Sequence, residues 1–345
     1  EEAVNKAREQ VAQLIGALPS EVIWTSGATE SDNLALTGVA TMYEEKGNEI
    51  ITATTEHHAV LDTLEALERK GFKIIRLPVD PTGLINLDHL KKALSKKTIL
   101  ISLMVANNEI GTIHPIAAIG KIAKGASPTK KEILFHVDAA QGCGKIPIDV
   151  QAMGIDLLSM SAHKAYGPKG VGALYVRSKN PRVRLAPILH GGGHEKGFRS
   201  GTLPVPNIVG MGEAFAIAGR EMEQESRRIR SLRDKLHQGL SQQLDGVFLN
   251  GHPTERLSGN LNLSFKGVSG EAIIAAMPEI AISSGSACAS LKAESSTVLK
   301  ALGLDDERIR SSIRFGLGRF NTEEEIDYVL QKTVATIRHL REIRR

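Results

Sequence analysis

Short apolar runs alternate repeatedly with helical stretches, and this alternation restricts the fold of the 345-residue chain more than any other feature. Seven runs rich in β-branched and aliphatic residues predict strands. Such alternation favours a mainly parallel sheet covered by helices on both faces, with ligands bound at the carboxyl ends of the strands. The predicted strands are Val22–Thr25, Glu49–Thr54, Lys73–Leu77, Thr98–Val105, Glu132–Asp138, Asp156–Met160 and Gly172–Val176.

The character of the sequence changes after about Pro206. A long charged helical stretch over Val209–Leu244 is followed by strand-like runs at Asn260–Phe265, Ile280–Ser283 and Ser312–Leu317. We therefore predict a large α/β domain over residues 1–220 and a smaller α+β domain over residues 221–345.

Composition narrows the classes of protein that remain. No apolar run approaches the ~20 residues that cross a bilayer, so no membrane partner is expected. The net charge of +4 is small, and nucleic-acid binding at the arginine-rich stretch 226–233 is only a minor alternative. Two cysteines do not make a disulfide framework, which favours a reducing compartment. We expect the cytoplasm, with an organelle matrix as the alternative.

Polar clusters follow four of the predicted strands. The turn before Glu30 is built of small residues and leads into a helix whose free N–H groups suit a phosphate, although a simple cap by Thr29 is the alternative. His57 follows the second strand, where a lone histidine is more often structural. Asp138 ends an apolar strand, and its carboxylate needs a cationic partner unless it only caps a helix. Lys164 follows the strand that ends near Met160.

A lysine at such a strand end is costly unless it has a function, and a lysine bound as a Schiff base is a recognised catalytic arrangement. Together the four clusters supply a phosphate cradle, a carboxylate, a gap for a ring beside a histidine, and a lysine. This combination is what a pyridoxal phosphate site needs.

The two cysteines have different surroundings. Cys143 reads as a small buried hydrophobe, whereas Cys288 lies in a run of small residues without apolar periodicity and is the candidate reactive thiol. The glycine-rich stretch that contains His190 and His194 is an alternative metal loop. Further ligands are not evident, so we predict no metal site and prefer an anion-binding or subunit-contact loop.

Eight motifs occur in an order that resembles the cysteine desulfurases, fold-type I pyridoxal phosphate enzymes of the IscS/NifS kind. The resemblance covers essentially the whole chain and implies the aspartate aminotransferase-like fold, in the subgroup with a long cysteine loop. Family members carry a further N-terminal segment, so we expect the natural chain to be longer. The motifs are TSGATESDNLA, TEHHAVLDT, NNEIGT, HVDAAQ, SAHKAYGPKGVGALYV, HGGGHEKGFRSGT, SSGSAC and SSIRFGLGRF.

The resemblance also implies individual roles. Lys164 matches the Schiff-base lysine that moves the substrate proton, and Asp138 matches the partner of the pyridinium nitrogen. His57 matches the imidazole stacked on the ring, which is also the expected acid or base, and Gln141 matches the donor to the phenolic oxygen. The remaining matches are Ala28, Thr29, Ser161 and His163 for the phosphate, Thr202 for a phosphate contact to the other subunit, Asn108 and Arg314 for substrate, and Cys288 for the thiol that accepts sulfur.

The implied reaction removes sulfur from L-cysteine, releases L-alanine and leaves a persulfide on Cys288. The implied partners are a second copy of the chain and a sulfur acceptor, either an iron–sulfur scaffold or a tRNA-thiolation relay. The resemblance also admits a transient iron–sulfur cluster at Cys288. A selenocysteine lyase or an aminotransferase on the same fold is the first alternative, and a non-catalytic docking subunit is the second.

Overall fold

The computed structural model describes residues 1–125, 133–284 and 296–343, and these residues fold as two compact units. The first unit comprises Glu1–Pro78, Ile85–Val105 and His114–Met222. The second comprises the short segments Val79–Leu84 and Ala106–Ile113 together with the chain from Glu223 onward. None of the described helices combines the length and the apolar character that a membrane span requires.

The first unit contains a seven-stranded sheet and its covering helices. Its helices are α1 (Glu2–Ile15), α2 (Ala28–Tyr43), α3 (His58–Glu68), α4 (Leu87–Ala93), α5 (Ile116–Gly125) and the first part of α6 (Val205–Gln243). Its strands are β1 (Val22–Thr25), β2 (Glu49–Ala53), β3 (Lys73–Leu77), β4 (Thr98–Met104), β5 (Leu134–Asp138), β6 (Leu157–Ser161) and β7 (Gly172–Val176).

The order of the strands across this sheet is β1-β7-β6-β5-β4-β2-β3. Five neighbouring strands, β3, β2, β4, β5 and β6, run parallel, and only β7 runs against them because it pairs antiparallel with both β6 and β1. The prediction of a mainly parallel seven-stranded sheet is confirmed. Because β1 has the same direction as β2, β5 and β6, the carboxyl ends of these four strands lie at one edge.

Burial of the central strands on both faces explains their composition. All residues of β4, β5, β6 and β7 are buried, so each reads as an apolar run rather than an alternating one. Helix α2 covers one face, and Leu34, Leu36 and Val39 belong to the same apolar core as residues of the strands. A methyl group at Gly172 of β7 would lie 2.4 Å from Met160 O and 2.6 Å from Gly27 Cα. Glycine at 172 therefore lets the turn before α2 approach the end of β6.

The second unit contains a three-stranded antiparallel sheet of order β10-β9-β8. Its further elements are β8 (Val247–Asn250), β9 (Asn260–Phe265), α7 (Gly270–Ala276), α8 (Thr297–Ala301), α9 (Asp306–Arg310), β10 (Ser312–Gly316) and α10 (Glu323–Ile343). The prediction of a strand over Ile280–Ser283 is wrong, because only Ser283 forms an isolated bridge, to Arg314. The short half-exposed strand β8 was not predicted.

Two apolar clusters stabilise the second unit. The larger joins β9 and β10 to α6 and α10 through residues such as Leu236, Leu263 and Ile337. The smaller packs Ile110, from the segment Ala106–Ile113, against residues of α8 and α9. Since Ile110 is completely buried there, the segment Ala106–Ile113 is an integral part of the second unit, although it comes before the rest of that unit in the sequence.

Candidate active site

Lys164 follows β6 in a 3₁₀ turn over Ala162–Ala165, at the carboxyl edge of the parallel strands. Its side chain is exposed at this edge. Just before it, the Ser161 hydroxyl and His163 Nδ1 are 2.9 Å apart, so the two predicted phosphate ligands are hydrogen-bonded to each other. Tyr166 ends the turn in the left-handed conformation, at φ 64°. The local backbone thus presents Lys164 outward from an otherwise buried strand.

Helix α2 begins at the same edge, at Ala28. Its N-cap is Gly27, and no side chain in the described part of the chain caps it. The Glu30 carboxylate accepts a hydrogen bond from Ser26 N–H (2.9 Å) and pairs with Arg199 (2.8 Å). Because Thr29 is exposed, the first N–H groups of the helix and its positive dipole end face an accessible space.

Asp138 is the last residue of β5 and is only 6% exposed. Its Oδ1 accepts the Ala140 N–H at 2.9 Å. Burial raises the pKa of Asp138, while the Ala140 hydrogen bond and the charges of His57 and Lys164 act to lower it. His57, Asp138 and Lys164 follow β2, β5 and β6 at the same carboxyl edge of the sheet, where the charges of His57 and Lys164 act on Asp138. Gln141 lies one turn further on, and its Oε1 accepts a hydrogen bond from Lys145 Nζ at 3.3 Å.

His57 is the N-cap of α3, and its Nδ1 accepts the Ala59 N–H at 3.1 Å. Burial lowers the pKa of His57, although the Asp138 charge opposes this shift. A neutral imidazole whose Nδ1 is an acceptor carries its proton on Nε2. His57 therefore offers one N–H donor to whatever lies in front of it.

Sequence reasoning missed a buried polar network behind Asp138. His136, two residues earlier on β5, lies with its Nδ1 2.8 Å from Ser102 Oγ and its Nε2 2.9 Å from Ser159 Oγ. Asp32 Oδ1 of α2 is 3.5 Å from the same Nε2. Burial lowers the pKa of His136 to about 3 and raises that of Asp32, which the Asp138 charge raises further. The available signal was a polar residue inside an apolar strand, as in Ile-Leu-Phe-His-Val-Asp.

Glu56 is a second buried carboxyl group near Asp138. Its Oε1 accepts the Met104 N–H at 2.9 Å, and its Oε2 has no hydrogen-bond partner among the residues that the structure describes. Burial raises the pKa of Glu56 well above the ordinary value, and the Asp138 charge adds to this shift. The charge of Asp138 thus raises the pKa values of both Asp32 and Glu56, and burial disfavours ionisation of all three carboxyl groups.

Of the two cysteines, the structure describes Cys143. Cys143 is buried, as predicted, and burial raises the pKa of its thiol to about 12. Cys288 lies outside the described residues.

Thr202 is exposed a few residues before α6.

In the second unit, the predicted substrate residues Asn108 and Arg314 are in contact. Arg314 Nη1 donates to Asn108 O at 2.7 Å. Both side chains are partly exposed, Asn108 in the segment Ala106–Ile113 and Arg314 on β10. The guanidinium group of arginine is suited in geometry and charge to a carboxylate.

A model of the aminotransferase class-V family matches residues 1–329 of the chain. The chain belongs to this family. The predicted membership is confirmed, and within the aminotransferase class-V family the similar curated proteins are cysteine desulfurases. The cysteine desulfurase IscS of Aeromonas hydrophila is 56% identical over 343 residues, which are 99% of this chain and 83% of that protein. IscS of Acinetobacter baumannii is 57% identical over 344 residues, with the same coverage.

Solved structures of NifS-like proteins share the fold of this chain. One NifS-like protein has a TM-score of 0.90 at 39% identity and covers 98% of this chain and 88% of its own. The NifS-like protein of Rickettsia africae has a TM-score of 0.85 at 28% identity, with coverages of 97% and 88%. The predicted fold of the pyridoxal-phosphate-dependent transferases is confirmed.

The cofactor of this family is pyridoxal 5′-phosphate, and the residues at the sheet edge fit it. The N-terminus of α2 lacks a side-chain cap among the described residues, which suits a phosphate. Asp138 is a buried carboxylate with Lys164 and His57 nearby, which suits a protonated ring nitrogen. The two features lie at the carboxyl ends of strands in one sheet, where α/β folds bind ligands.

Proposed function

We propose that the chain removes the sulfur of L-cysteine, releases L-alanine and leaves a persulfide on Cys288. The observation that carries this proposal is the 54–57% identity to curated cysteine desulfurases over 99% of the chain, together with the meeting of Lys164, His57 and Asp138 at one sheet edge. The residues predicted to bind the cofactor belong to the first unit, and the predicted substrate residues Asn108 and Arg314 belong to the second.

The residues of the first unit have distinct tasks. Pyridoxal phosphate, when bound, supplies an aldehyde that condenses with amines and a ring that accepts electrons. Ala28, Thr29, Ser161 and His163 hold the phosphate, and Gln141 donates to the phenolic oxygen. Asp138 keeps its negative charge opposite the ring nitrogen, since an opposite charge at contact favours protonation by about 1–3 pKa units.

Proton movement falls to Lys164 and His57. Lys164 would hold the cofactor through its amine, and the same amine can carry the substrate α-proton. His57 is neutral with a proton on Nε2, so it would lie beside the cofactor and can give that proton to the substrate. Arg314 binds the substrate carboxylate and Asn108 completes that side of the site.

The Cys288 thiolate attacks the substrate sulfur. A bond between the two sulfur atoms forms as the bond from substrate carbon to sulfur breaks, and the electron pair of the broken bond remains on the carbon skeleton. That skeleton takes up a proton and leaves as alanine. Cys288 therefore keeps the sulfur as a persulfide for an acceptor.

Assembly and partners belong to the same proposal. A homodimer, in which Thr202 reaches the phosphate of the other subunit, completes the site. The sulfur passes to an iron–sulfur scaffold or to another acceptor such as a tRNA-thiolation relay, in the cytoplasm. The similarity to proteins named cysteine desulfurase IscS supports this assignment.

The decisive experiment is mass spectrometry of the holoenzyme after incubation with L-cysteine. We expect one added sulfur on Cys288 in the wild type and in Cys143→Ser, and none in Cys288→Ser, with the cofactor absorbance retained in all three. A persulfide passed on by Cys288→Ser would refute the role of that thiol. Amino-group transfer without Cys288 would favour an aminotransferase, and preferred turnover of selenocysteine over cysteine would favour a selenocysteine lyase.

A further inference from the structure

An ion pair is built into the start of α2, where the phosphate of the cofactor is proposed to bind. Glu30 lies in the first turn of the helix, and its Oε1 accepts Arg199 Nε at 2.8 Å while its Oε2 accepts Arg199 Nη2 at 3.4 Å. The same Oε2 accepts the Ser26 N–H at 2.9 Å, so the carboxylate folds back toward the residue before the N-cap. The side chains of Glu30 and Arg199 are only 13% and 17% exposed. The pair is therefore a fixed and largely buried part of this helix end.

The carboxylate of Glu30 carries a negative charge. Burial acts to raise its pKa, but the hydrogen bonds from Arg199 and Ser26 outweigh this effect and hold the pKa below its ordinary value. An anion in the first turn is stabilised by the helix dipole, yet it competes with any second anion that uses the same helix end. A Glu30 carboxylate without a partner would therefore repel a phosphate at Ala28 and Thr29.

The remaining predicted phosphate residues do not cancel the charge of Glu30. Ser161 is neutral, and desolvation together with the charges of Lys164 and two other lysines lowers the pKa of His163, which favours its neutral form. Lysine charges thus act on the β6 side of the predicted phosphate residues, whereas the acidic residue in the first turn of α2 is Glu30. On the helix side, the cation that meets this carboxylate is Arg199.

The segment that carries Arg199 is anchored at other residues. Glu195 accepts the Trp24 N–H at 2.8 Å and two hydrogen bonds of 2.8 Å from the guanidinium group of Arg8. Phe198, next to Arg199 in the sequence, packs against the apolar core of the first unit. Loss of the Arg199 charge should therefore leave the segment in place, and the contribution of Arg199 at α2 is electrostatic.

We propose that Arg199 is a positioning residue for the cofactor, which acts through Glu30: it neutralises the carboxylate so that the start of α2 accepts a dianionic phosphate. This inference rests on the proposed function, in which Ala28 and Thr29 hold the phosphate. Its consequence is selectivity. Arg199 favours binding of pyridoxal phosphate over pyridoxal, which has the same ring and aldehyde but no phosphate.

The test titrates the full-length protein, freed of its cofactor, with pyridoxal phosphate and with pyridoxal, and follows their absorbance. The dissociation constant of pyridoxal divided by that of pyridoxal phosphate isolates the phosphate, since effects on the ring and on Lys164 cancel. Arg199→Gln leaves the Glu30 carboxylate without its cation, so we expect this ratio to fall about tenfold. Glu30→Gln and the double variant Glu30→Gln with Arg199→Gln lack the repelling charge, so their ratios should be at least about half that of the wild type.

Two further variants are the matched controls. Arg199→Lys keeps the positive charge without the paired N–H donors, and its ratio should stay within about threefold of the wild-type value. Arg227→Gln removes the same charge from the exposed pair with Glu223 on α6 and should not change the ratio. If Arg199→Gln does not fold, Glu30→Gln decides, because the inference requires that its ratio does not fall.

The outcomes separate the possible errors. A wild-type ratio in Arg199→Gln would overturn the inference. A double variant as weak as Arg199→Gln would also overturn it, since Arg199 would then anchor its segment, which ends at Thr202, rather than neutralise Glu30. A wild type that prefers pyridoxal phosphate but releases no alanine from L-cysteine would overturn the proposed function and not the role of Arg199. A wild type without that preference would remove the phosphate residues from the proposed function.

Discussion

Each unit contains one buried polar cluster, and the two clusters differ in kind. Behind the sheet edge of the first unit lie titratable side chains, namely Asp32, Glu56, His136 and Asp138, and all are buried. The sheet of the second unit carries a buried cluster of neutral amides and hydroxyls, namely Asn250, Asn262, Ser264 and Ser312, although charged groups such as Glu109 and Arg256 are buried elsewhere in that unit. Both clusters place polar atoms in a low-dielectric interior, but of the two only the titratable cluster changes its charge with pH.

The neutral network of the second unit is closely hydrogen-bonded. Asn250 Nδ2 lies 2.9 Å from Asn262 Oδ1, 2.8 Å from Ser264 Oγ and 3.2 Å from Ser312 Oγ. Arg308 Nε donates to Asn250 Oδ1 at 3.1 Å. A network bonded in this way is rigid and specific. It suits a frame that holds substrate residues.

In the first unit the hydrogen bonding is incomplete. Both oxygens of Asp32 and Oε2 of Glu56 lack a hydrogen-bond partner among the described residues. Perturbed titratable groups cluster where proton chemistry occurs. The contrast teaches that the perturbed titratable groups of the first unit lie beside the predicted cofactor residues, whereas the amide and hydroxyl cluster of the second unit is satisfied by hydrogen bonds.

Removing the side-chain amine of Lys164, in the first unit, should have the largest effect on turnover. Lys164→Ala is expected to lower alanine release more than about 10³-fold, because it removes both the covalent attachment and the proton carrier. Lys164 is exposed, so the free energy of unfolding of the apoprotein should change by less than about 0.5 kcal/mol. Alanine release and a urea titration check the two parts. If Lys164→Ala turned over within tenfold of the wild-type rate, the proposed proton chemistry of the first unit would be wrong.

The neutral network is tested by Asn250→Ala. The substitution removes the amide that bonds to the buried residues Asn262, Ser264 and Ser312 and to the partly buried Arg308, so we expect the free energy of unfolding to fall by about 2–4 kcal/mol. Urea titration measures this loss, and the native cofactor absorbance should not change. Ser312→Ala removes one bond of the Asn250 amide together with the bonds of that hydroxyl to Ser264 Oγ and Arg308 O, and it should cost less, about 1–2 kcal/mol. Equal losses in both variants would contradict a central role for Asn250.

The pH dependence of stability should distinguish the two interiors. Unfolded His136 binds a proton below its ordinary pKa near 6.5, whereas the folded residue does so only near 3, so it contributes stability above 6.5 that is lost as the pH falls. Between pH 7 and pH 5 the wild type should lose about 2 kcal/mol more than His136→Gln, at about 1.4 kcal/mol per pH unit below 6.5.

The raised carboxyl pKa values oppose this trend, because Asp32 and Glu56 stabilise the fold at low pH and lose that contribution as the pH rises. They are present in both proteins, so the difference between the wild type and His136→Gln isolates the histidine. Urea titrations at several pH values measure it. A difference between the two proteins that is constant from pH 7 to pH 5 would contradict the assignment of a buried neutral His136.

The smallest effect is expected on the surface of α6. Arg227 and Glu223 form an exposed ion pair 2.6 Å long, with side chains 71% and 83% exposed. Arg227→Ala should change the free energy of unfolding by less than about 0.5 kcal/mol, since water and salt screen such pairs. Urea titration in low and high salt checks this value, which sets the baseline for the buried variants. If Arg227→Ala lowered the free energy of unfolding as much as Asn250→Ala does, burial would not determine how much such a bond contributes to stability.

The sequence predicted the strands of the first unit well because burial on both faces made them continuous apolar runs. β1, β3 and β7 have the predicted bounds, β2 and β4 end one residue earlier than predicted, and β6 is shifted by one residue at both ends. β5 ends at Asp138 as predicted, whereas its predicted start at Glu132 lies outside the described residues. The antiparallel direction of β7 was not predicted, since an apolar run carries no information about direction. The helices α7, α8 and α9 have only five to seven residues and show too little periodicity to be found.

Part of the site could be predicted because its residues follow strand ends. The roles of these residues and the domain limits at residue 220 stay predictions. The bonds that join distant segments were beyond sequence reasoning: Glu109 and Ser296 are 187 residues apart, and Asp32 and His136 come from α2 and β5. Only the topology of the folded chain brings such partners together.

The burial of Cys143 has a practical consequence for chemical labelling. The chain has two sulfhydryl groups, and the one at 143 is inaccessible and protonated at any pH that an alkylation experiment uses. Iodoacetamide added to the native protein should therefore leave Cys143 unmodified, and adding denaturant should expose it as an internal standard. An alkylated persulfide is one sulfur heavier than an alkylated thiol, so the masses of the labelled cysteines would distinguish sulfur gained by Cys288 from sulfur gained by Cys143.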